Sequence, residues 1–152
     1  MRAIIQRVSE ARVKVDDKIT GQIGIGLLVL LGIEEADTKK DLEWLAQKIS
    51  KMRIFADEKG LMNKALNDIN GQILLISQFT LFAETQRGNR PGFTRAAKSE
   101  NAIPLYELMI NRLAELSNKK VEVGKFGADM KVSLVNDGPV TIIIDSKEKE
   151  KY

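Results

Sequence analysis

The order of apolar and polar positions divides the chain into segments of two-residue and of helical periodicity. Alternation over residues 3–15 predicts a strand with a bend near residues 9–10, and a turn leads from it into a return strand over 19–23. Residues 25–33 are apolar at almost every position, which is typical of a central strand buried on both faces. A further apolar run predicts a strand over 73–83.

Helical spacing occurs in two segments. Residues 38–53 place apolar side chains three and four positions apart, and Thr38 with Asp41 has the residue types of a capping box. Residues 101–117 show the same spacing, with Pro104 in the first turn, where a helix tolerates proline. The sequence therefore predicts two main helices.

The last three predicted strands, over 121–123, 130–135 and 140–144, follow one another without a helix between them. This order favours a single α+β domain with a largely antiparallel sheet over a doubly wound parallel one. The domain is expected over residues 1–146. Residues 147–152, where Lys and Glu alternate, are expected to form a frayed tail.

Composition narrows the possible chemistry. The 152 residues include 24 Lys and Arg, 21 Asp and Glu, no His and no Cys. Without these two types there is no imidazole base and no thiolate, so an enzyme of this sequence must use hydroxyls, carboxylates, lysines, backbone groups or its substrate.

The apolar runs are too short to span a bilayer and no signal-peptide core is present, so we expect a cytoplasmic location. The net charge of +3 allows an RNA partner.

Three clusters each have a structural and a functional interpretation. The glycines of residues 21–26 have the reverse of a dinucleotide-binding spacing and favour a tight hairpin. The carboxylates of residues 34–37 precede a helix, whose positive end they complement, so we favour that role over a metal site. Residues 85–98 carry four cations and no carboxylate, which leaves a solvated loop and a phosphate- or RNA-binding loop equally open.

Polar residues also interrupt two apolar stretches. Simple alternation along 76–82 places Gln78 and Thr80 on one face of a strand and Ser77 on the other. Such groups need partners, and hydrogen bonds to neighbouring backbone are slightly favoured over a pocket. Residues 136–141 have the composition of a turn, within which a Gly–Pro peptide bond can be cis and the glycine lets backbone approach a ligand.

Seven short segments carry a resemblance to a known family: Gln6-Arg7-Val8, Met52-Arg53-Ile54-Phe55, Met62-Asn63, Ser77-Gln78-Phe79-Thr80, Arg90-Pro91, Phe126-Gly127-Ala128-Asp129-Met130 and Asn136-Asp137-Gly138-Pro139-Val140-Thr141. On these residues the chain resembles the D-aminoacyl-tRNA deacylase family over nearly its whole length. Two positions depart from the family pattern. Val123 stands where a Thr is expected, and Gly92 where a polar residue is common.

The resemblance implies a barrel-like sheet and a homodimer that uses no metal or cofactor. It implies hydrolysis of the ester between the 3′ end of tRNA and a D-amino acid or glycine. A cis Gly138–Pro139 motif of one subunit would enter the site of its partner and exclude L-amino acids. The implied site residues are Gln78, Phe79 and Thr80 for catalysis, Ser77, Phe126, Gly127, Ala128, Met130, Gly138 and Pro139 for substrate binding, and Arg7, Asn136 and Thr141 as support for the motif.

The mechanism has two candidate activating groups. Thr80 is a hydroxyl nucleophile with no imidazole to take its proton, so we favour attack by water assisted by the 2′-hydroxyl of the terminal adenosine. Backbone N–H groups near Phe79 and Thr80 would then stabilise the oxyanion. The alternatives are a non-catalytic nucleic-acid-binding protein, a different acyl-ester hydrolase on the same scaffold, and a purely structural dimer.

Overall fold

One long strand at the start of the chain organises the fold, which the computed structural model describes over residues 1–152. The elements in chain order are β1 (Arg2–Val15), β2 (Lys18–Ile23), β3 (Gly26–Gly32), α1 (Lys39–Lys51), β4 (Phe55–Ala56), β5 (Met62–Lys64), β6 (Gln72–Ser77), α2 (Ser99–Ser117), β7 (Glu122–Val123) and β8 (Lys131–Asp145). Strand β1 pairs with β2, β3 and β8, and its register against β8 shifts between Val8 and Glu10, where the alternation predicts a bend.

The sheet is mixed and nearly closed into a barrel. Its strand order is β2-β1-β3-β6-β7, with β8 on β1. The predicted α+β domain with a barrel-like sheet and two main helices is confirmed, but "largely antiparallel" needs correction, because β3–β6 and β6–β7 are parallel. Helix α1 lies in the connection from β3 to β6, and α2 lies in that from β6 to β7. Each helix carries the chain back along the sheet, so that the next strand runs in the same direction as the one before the helix, as parallel pairing requires.

Two apolar clusters hold the layers together. A cluster of 23 buried residues joins the outer face of the sheet to both helices, and a cluster of seven fills the interior of the barrel that the sheet forms. Strand β3 contributes to both, with Leu27 and Val29 toward the helices and Leu28 inside, so the prediction of a strand buried on two faces is confirmed. Neither α1 nor α2 has both the length and the apolar character of a membrane-crossing helix.

Both helices form close to their predicted bounds. The Thr38 N–H donates to the Asp41 carboxylate at 2.9 Å, as the capping box predicts. Helix α2 begins at Ser99, two residues earlier than predicted, so Pro104 lies in its second turn rather than its first. The carbonyl that Pro104 leaves without an N–H partner belongs to the exposed Glu100, where water can replace the missing donor.

The glycine-rich residues 21–26 do not form the predicted hairpin. Strands β2 and β3 both lie antiparallel along one edge of β1, with Ala11 opposite Ile23 and Val8 opposite Gly26. The chain reverses instead between β1 and β2, at two aspartates of positive φ. The glycines serve close packing: a Cβ on Gly26 would lie 1.9 Å from the carbonyl oxygen at the start of β6.

Closure of the barrel depends on Gly21. A Cβ on Gly21 would lie 2.6 Å from the Val123 carbonyl oxygen, so β2 reaches β7 only without a side chain there. We expect Gly21→Ala to lower the free energy of unfolding by about 1–3 kcal/mol, measured by chemical denaturation. Gly24→Ala is the matched control, because its nearest neighbour would be a Gln72 side-chain oxygen at 3.9 Å. Equal stability of the two variants would show that β2 and β7 do not pack this closely.

Residues 147–152, which are predicted to form a frayed tail, contact helix α1. The Lys147 ammonium lies 3.0 Å from the Asp41 carboxylate, and the Lys149 ammonium lies 5.5 Å from the Trp44 ring centroid. A 3₁₀ turn over Lys149–Lys151 ends the chain. Alternating Lys and Glu carries no apolar signal, so the sequence did not reveal that partners on α1 hold this segment.

Candidate functional site

A cavity of about 570 Å³ opens where the neighbouring strands β3 and β6 end. Seven of the predicted site residues line it: Ser77, Gln78, Phe79, Phe126, Gly127, Ala128 and Met130. The rest of the wall comes from Leu31 and Ile33 at the end of β3, from Phe93 and residues 96–99 before and within α2, and from neighbouring side chains. The structure therefore brings two distant segments of the chain to one concave site.

The first of these segments leaves the sheet earlier than predicted. Strand β6 ends at Ser77, and Phe79–Phe82 form a 3₁₀ helix, so the predicted strand over 73–83 is wrong beyond Ser77. The turn is held from elsewhere: Arg2 donates to the Leu81 carbonyl at 2.6 Å and stacks on the buried Phe82 ring. Local alternation cannot show contacts from the start of the chain.

This turn places Thr80 at the rim rather than in the wall of the cavity. Thr80 is exposed, and its hydroxyl accepts a hydrogen bond from the Gln78 side-chain amide. An amide cannot take up a proton from the hydroxyl. The charged lining residues are Lys98 and Asp129, and the Asp129 carboxylate is paired with Lys131 at 2.9 Å. The site offers Thr80 no general base in hydrogen-bonding contact.

Aromatic side chains shape the two walls. Phe79, 57% exposed, packs edge-on against Phe93 with ring centroids 5.0 Å apart. Phe93 is not among the predicted site residues, although an aromatic residue inside a basic polar loop is a usable signal. On the other side Phe126 packs on Tyr106, whose hydroxyl donates to the Leu75 carbonyl at 2.9 Å. A tyrosine hydroxyl is protonated at neutral pH in any case, and burial raises the pKa of Tyr106 further.

The Asn136–Thr141 motif lies within β8 instead of between two strands, so the predicted separation of 130–135 from 140–144 is wrong. Gln6 is opposite Thr141 and Val8 is opposite Asn136, which leaves Arg7 alone facing the four residues between them. The extra residues bulge out of the pairing. The peptide bond between the glycine and the proline of this bulge is cis.

Side chains on both sides fix the bulge. Arg7 donates to the Asp137 carbonyl at 2.8 Å and to the Ile54 carbonyl at 2.5 Å. The Asn136 side chain accepts from the Val140 N–H at 2.7 Å and donates to a threonine hydroxyl, that of Thr141, at 3.0 Å. The three residues predicted to support the motif therefore all lie around it.

The Gly138–Pro139 motif does not line the cavity of its own chain. Gly138 and Pro139 are exposed, and neither they nor Arg7 belong to the cavity wall. Glycine is needed at 138, where φ is +141° and a Cβ would lie 3.0 Å from Arg7 Nη2. The predicted site residues thus fall into a cavity group, the rim residue Thr80, and a separate surface group.

The acidic residues of 34–37 bind protein donors. The Asp37 carboxylate accepts from the Glu34 N–H at 2.8 Å, and Glu34 pairs with Arg95 at 3.0 Å. The Glu35 carboxylate accepts from the Lys98 N–H at 3.3 Å, just before α2. These contacts favour a structural role over a metal site, although the partners lie on α2, on its preceding loop, at the N-terminus and at Lys147 rather than on α1.

Comparison with known proteins extends over the whole chain. A model of the D-Tyr-tRNA(Tyr) deacylase family matches residues 4–145. D-aminoacyl-tRNA deacylases of Akkermansia muciniphila and Flavobacterium psychrophilum are 56% and 55% identical over 150 residues, covering 99% of this chain and 100% of each relative.

Two solved structures share the fold. A c-Myc DNA unwinding element binding protein is 40% identical, with a TM-score of 0.89 over 95% of this chain and 98% of that one. A probable eukaryotic D-amino acid tRNA deacylase is 16% identical, with a TM-score of 0.81 over 94% of this chain and 97% of that one, a likeness in fold alone.

Proposed function

The chain belongs to the D-Tyr-tRNA(Tyr) deacylase family of hydrolases, and we propose from this premise that it cleaves the ester of D-aminoacyl-tRNA and of glycyl-tRNA in the cavity described above. The products are the free amino acid and tRNA. The observation that carries the proposal is the meeting of residues 77–79 and 126–130, two segments of the family resemblance, in one cavity. Its volume of about 570 Å³ is within the usual range for small-molecule sites.

Water is the proposed nucleophile. The ribose 2′-hydroxyl of the terminal adenosine would orient and activate it, the ester C–O bond would break, and the 3′-oxygen would leave with a proton. The absence of a base around Thr80 supports this route. The N–H groups of Phe79 and Thr80 begin a 3₁₀ helix and therefore have no acceptor within it, so we assign them to the oxyanion.

Chirality is proposed to be enforced across a homodimer. Gly138 and Pro139 project from β8, an edge strand whose Val135 and Ile143 are 50% and 54% exposed on either side of the motif. An exposed edge with apolar side chains is typical of a protein–protein contact. The motif of one protomer would enter the cavity of its partner, where rigid backbone leaves space for a hydrogen but not for an L side chain.

The test is release of amino acid from tRNA charged with D-tyrosine, L-tyrosine or glycine, in the presence of EDTA. We expect D-tyrosyl-tRNA to be cleaved at least about 100-fold faster than L-tyrosyl-tRNA, because a backbone clash is harder to relieve than a side-chain one. Glycyl-tRNA should be cleaved measurably, since glycine has no side chain to exclude. Comparable turnover of both tyrosyl enantiomers would contradict the steric account.

A second candidate is a non-catalytic nucleic-acid-binding protein, because the 40% identical structural relative is named for binding a DNA unwinding element. The basic residues of 85–98 are compatible with either function. Retention of nucleic acid without release of D-tyrosine would favour this candidate.

A further inference from the structure

The loop before α2 has a closed tip that we call the arginine tip, residues 85–91. Two backbone hydrogen bonds between Glu84 and Gly92, of 2.8 and 2.9 Å, pin its base. Every residue of the tip is exposed, and it carries Arg87 and Arg90 without any acidic residue. The tip is thus a positively charged projection that is held at its base.

The cations of this loop do not share one role. Arg95 is used inside the fold, where it pairs with Glu34 at 3.0 Å and lies 5.4 Å from the Phe82 ring centroid. Arg87 and Arg90 form no side-chain hydrogen bond and no ion pair. A guanidinium without a carboxylate partner keeps all of its donors available for a phosphate, which it can bind in a bidentate manner.

The arginine tip lies beside the mouth of the cavity. Phe93 follows its base directly, lines the cavity and packs on Phe79 at 5.0 Å. Lys98, which forms no ion pair either, lines the same cavity at the start of α2. An ester bound inside the cavity places the polynucleotide that carries it at this mouth.

We propose that Arg87, Arg90 and Lys98 bind the backbone phosphates of the RNA that leads to the esterified 3′ end. The inference rests on the proposed function and names the part of the substrate that the arginine tip holds. Phosphate contacts position a nucleic acid without reading its bases, so these residues contribute to binding and not to the chemical step. Their contribution should weaken as salt rises, because binding releases counterions from the RNA.

The test compares wild-type protein with the double variant Arg87→Ser/Arg90→Ser on two substrates. One is D-tyrosyl-tRNA, and the other is the D-tyrosyl ester of adenosine, which has no phosphates. We expect KM for D-tyrosyl-tRNA to rise about tenfold or more with kcat little changed, and kcat/KM for the adenosine ester to stay within about twofold. The slope of log affinity for tRNA against log salt should become shallower by roughly 1.5, for two lost phosphate contacts.

Arg12→Ser is the matched control, because Arg12 is an exposed arginine of β1 that forms no side-chain hydrogen bond or ion pair. It makes the same Arg→Ser change outside the arginine tip and should change the kinetics of neither substrate. Thermal melting of all variants checks that the fold is kept.

Two outcomes overturn the inference: an unchanged KM and salt slope for tRNA in the double variant, or an equal loss on both substrates. Wild-type protein that cleaves neither substrate overturns the proposed function instead. The salt dependence of tRNA binding then still decides whether the arginine tip holds phosphates.

Discussion

D-tyrosyl-tRNA whose terminal adenosine lacks the 2′-hydroxyl should be cleaved about 10²- to 10⁴-fold more slowly than the ribose substrate, in kcat, with KM almost unchanged. The reason is that the substrate supplies the activating group in the proposed mechanism. The chain has no His and no Cys. The Thr80 hydroxyl is hydrogen-bonded to the side-chain amide of Gln78, which cannot accept its proton. Removing the 2′-hydroxyl therefore removes the group that we assign to proton transfer. The rates are measured in single turnover, after subtraction of spontaneous hydrolysis for each ester.

The complementary experiment changes the protein instead of the substrate and measures the activity of Thr80→Ala on the ribose substrate. We expect it to retain activity within about tenfold, because Thr80 then only orients Gln78 and presents a backbone N–H, which alanine also has. A Thr80→Ala protein that binds substrate with normal affinity but is inactive, together with an unaffected deoxy substrate, would establish Thr80 as the nucleophile. Water attack assisted by the 2′-hydroxyl predicts a slow deoxy substrate and an active Thr80→Ala protein. A Thr80 nucleophile predicts the reverse of both results, so the two experiments together distinguish the mechanisms.

Local signals predicted the parts of the fold that local interactions form. Helix α1 and its Thr38–Asp41 cap were predictable because the apolar spacing and the capping residues lie within one short segment. The same is true of β3, whose continuous apolar run meets a cluster on each face. The family resemblance predicts residues 77–79, 126–128 and 130 as site residues, which periodicity alone leaves open, and these residues line one cavity.

Contacts between distant segments explain the errors. Phe79–Phe82 continue an apolar run, yet they turn because Arg2 binds the Leu81 carbonyl. The glycines of residues 21–26 have turn-forming composition, but Gly21 and Gly26 are required instead by the close approach of β7 and β6. In the cavity wall contributed by residues 93–99, only Phe93 carried a local signal, and nothing in the segment indicates that residues 96–99 line the cavity.

Arg7→Ala should lower kcat/KM for D-tyrosyl-tRNA by about 100-fold and should also lower the preference for D over L. Arg7 is 14% exposed and joins the Asp137 and Ile54 carbonyls, so its loss frees the bulge that carries Gly138. A displacement of about 1 Å in a positioning element can cost this much in rate. Arg12→Ala, on the same strand but without side-chain bonds, is the control and should leave both quantities unchanged. If Arg7→Ala lowered only the melting temperature, the Arg7 contacts would stabilise the fold without positioning the motif for the substrate.

For the proposed homodimer, mixed dimers determine which cavity the motif serves. One protomer would carry Ala128→Trp, which fills its cavity but leaves its motif intact, and the other would carry Arg7→Ala, which spares its cavity but frees its motif. If the motif acts across the interface, the intact cavity receives the intact motif, and the mixed dimer should show about half of the wild-type activity with normal D over L preference. If the motif acts within its own chain, neither cavity is complete and the mixed dimer should be as defective as the two parent variants. Light scattering of the separated species checks that each preparation is a dimer, because activity restored in a monomer would exclude both arrangements.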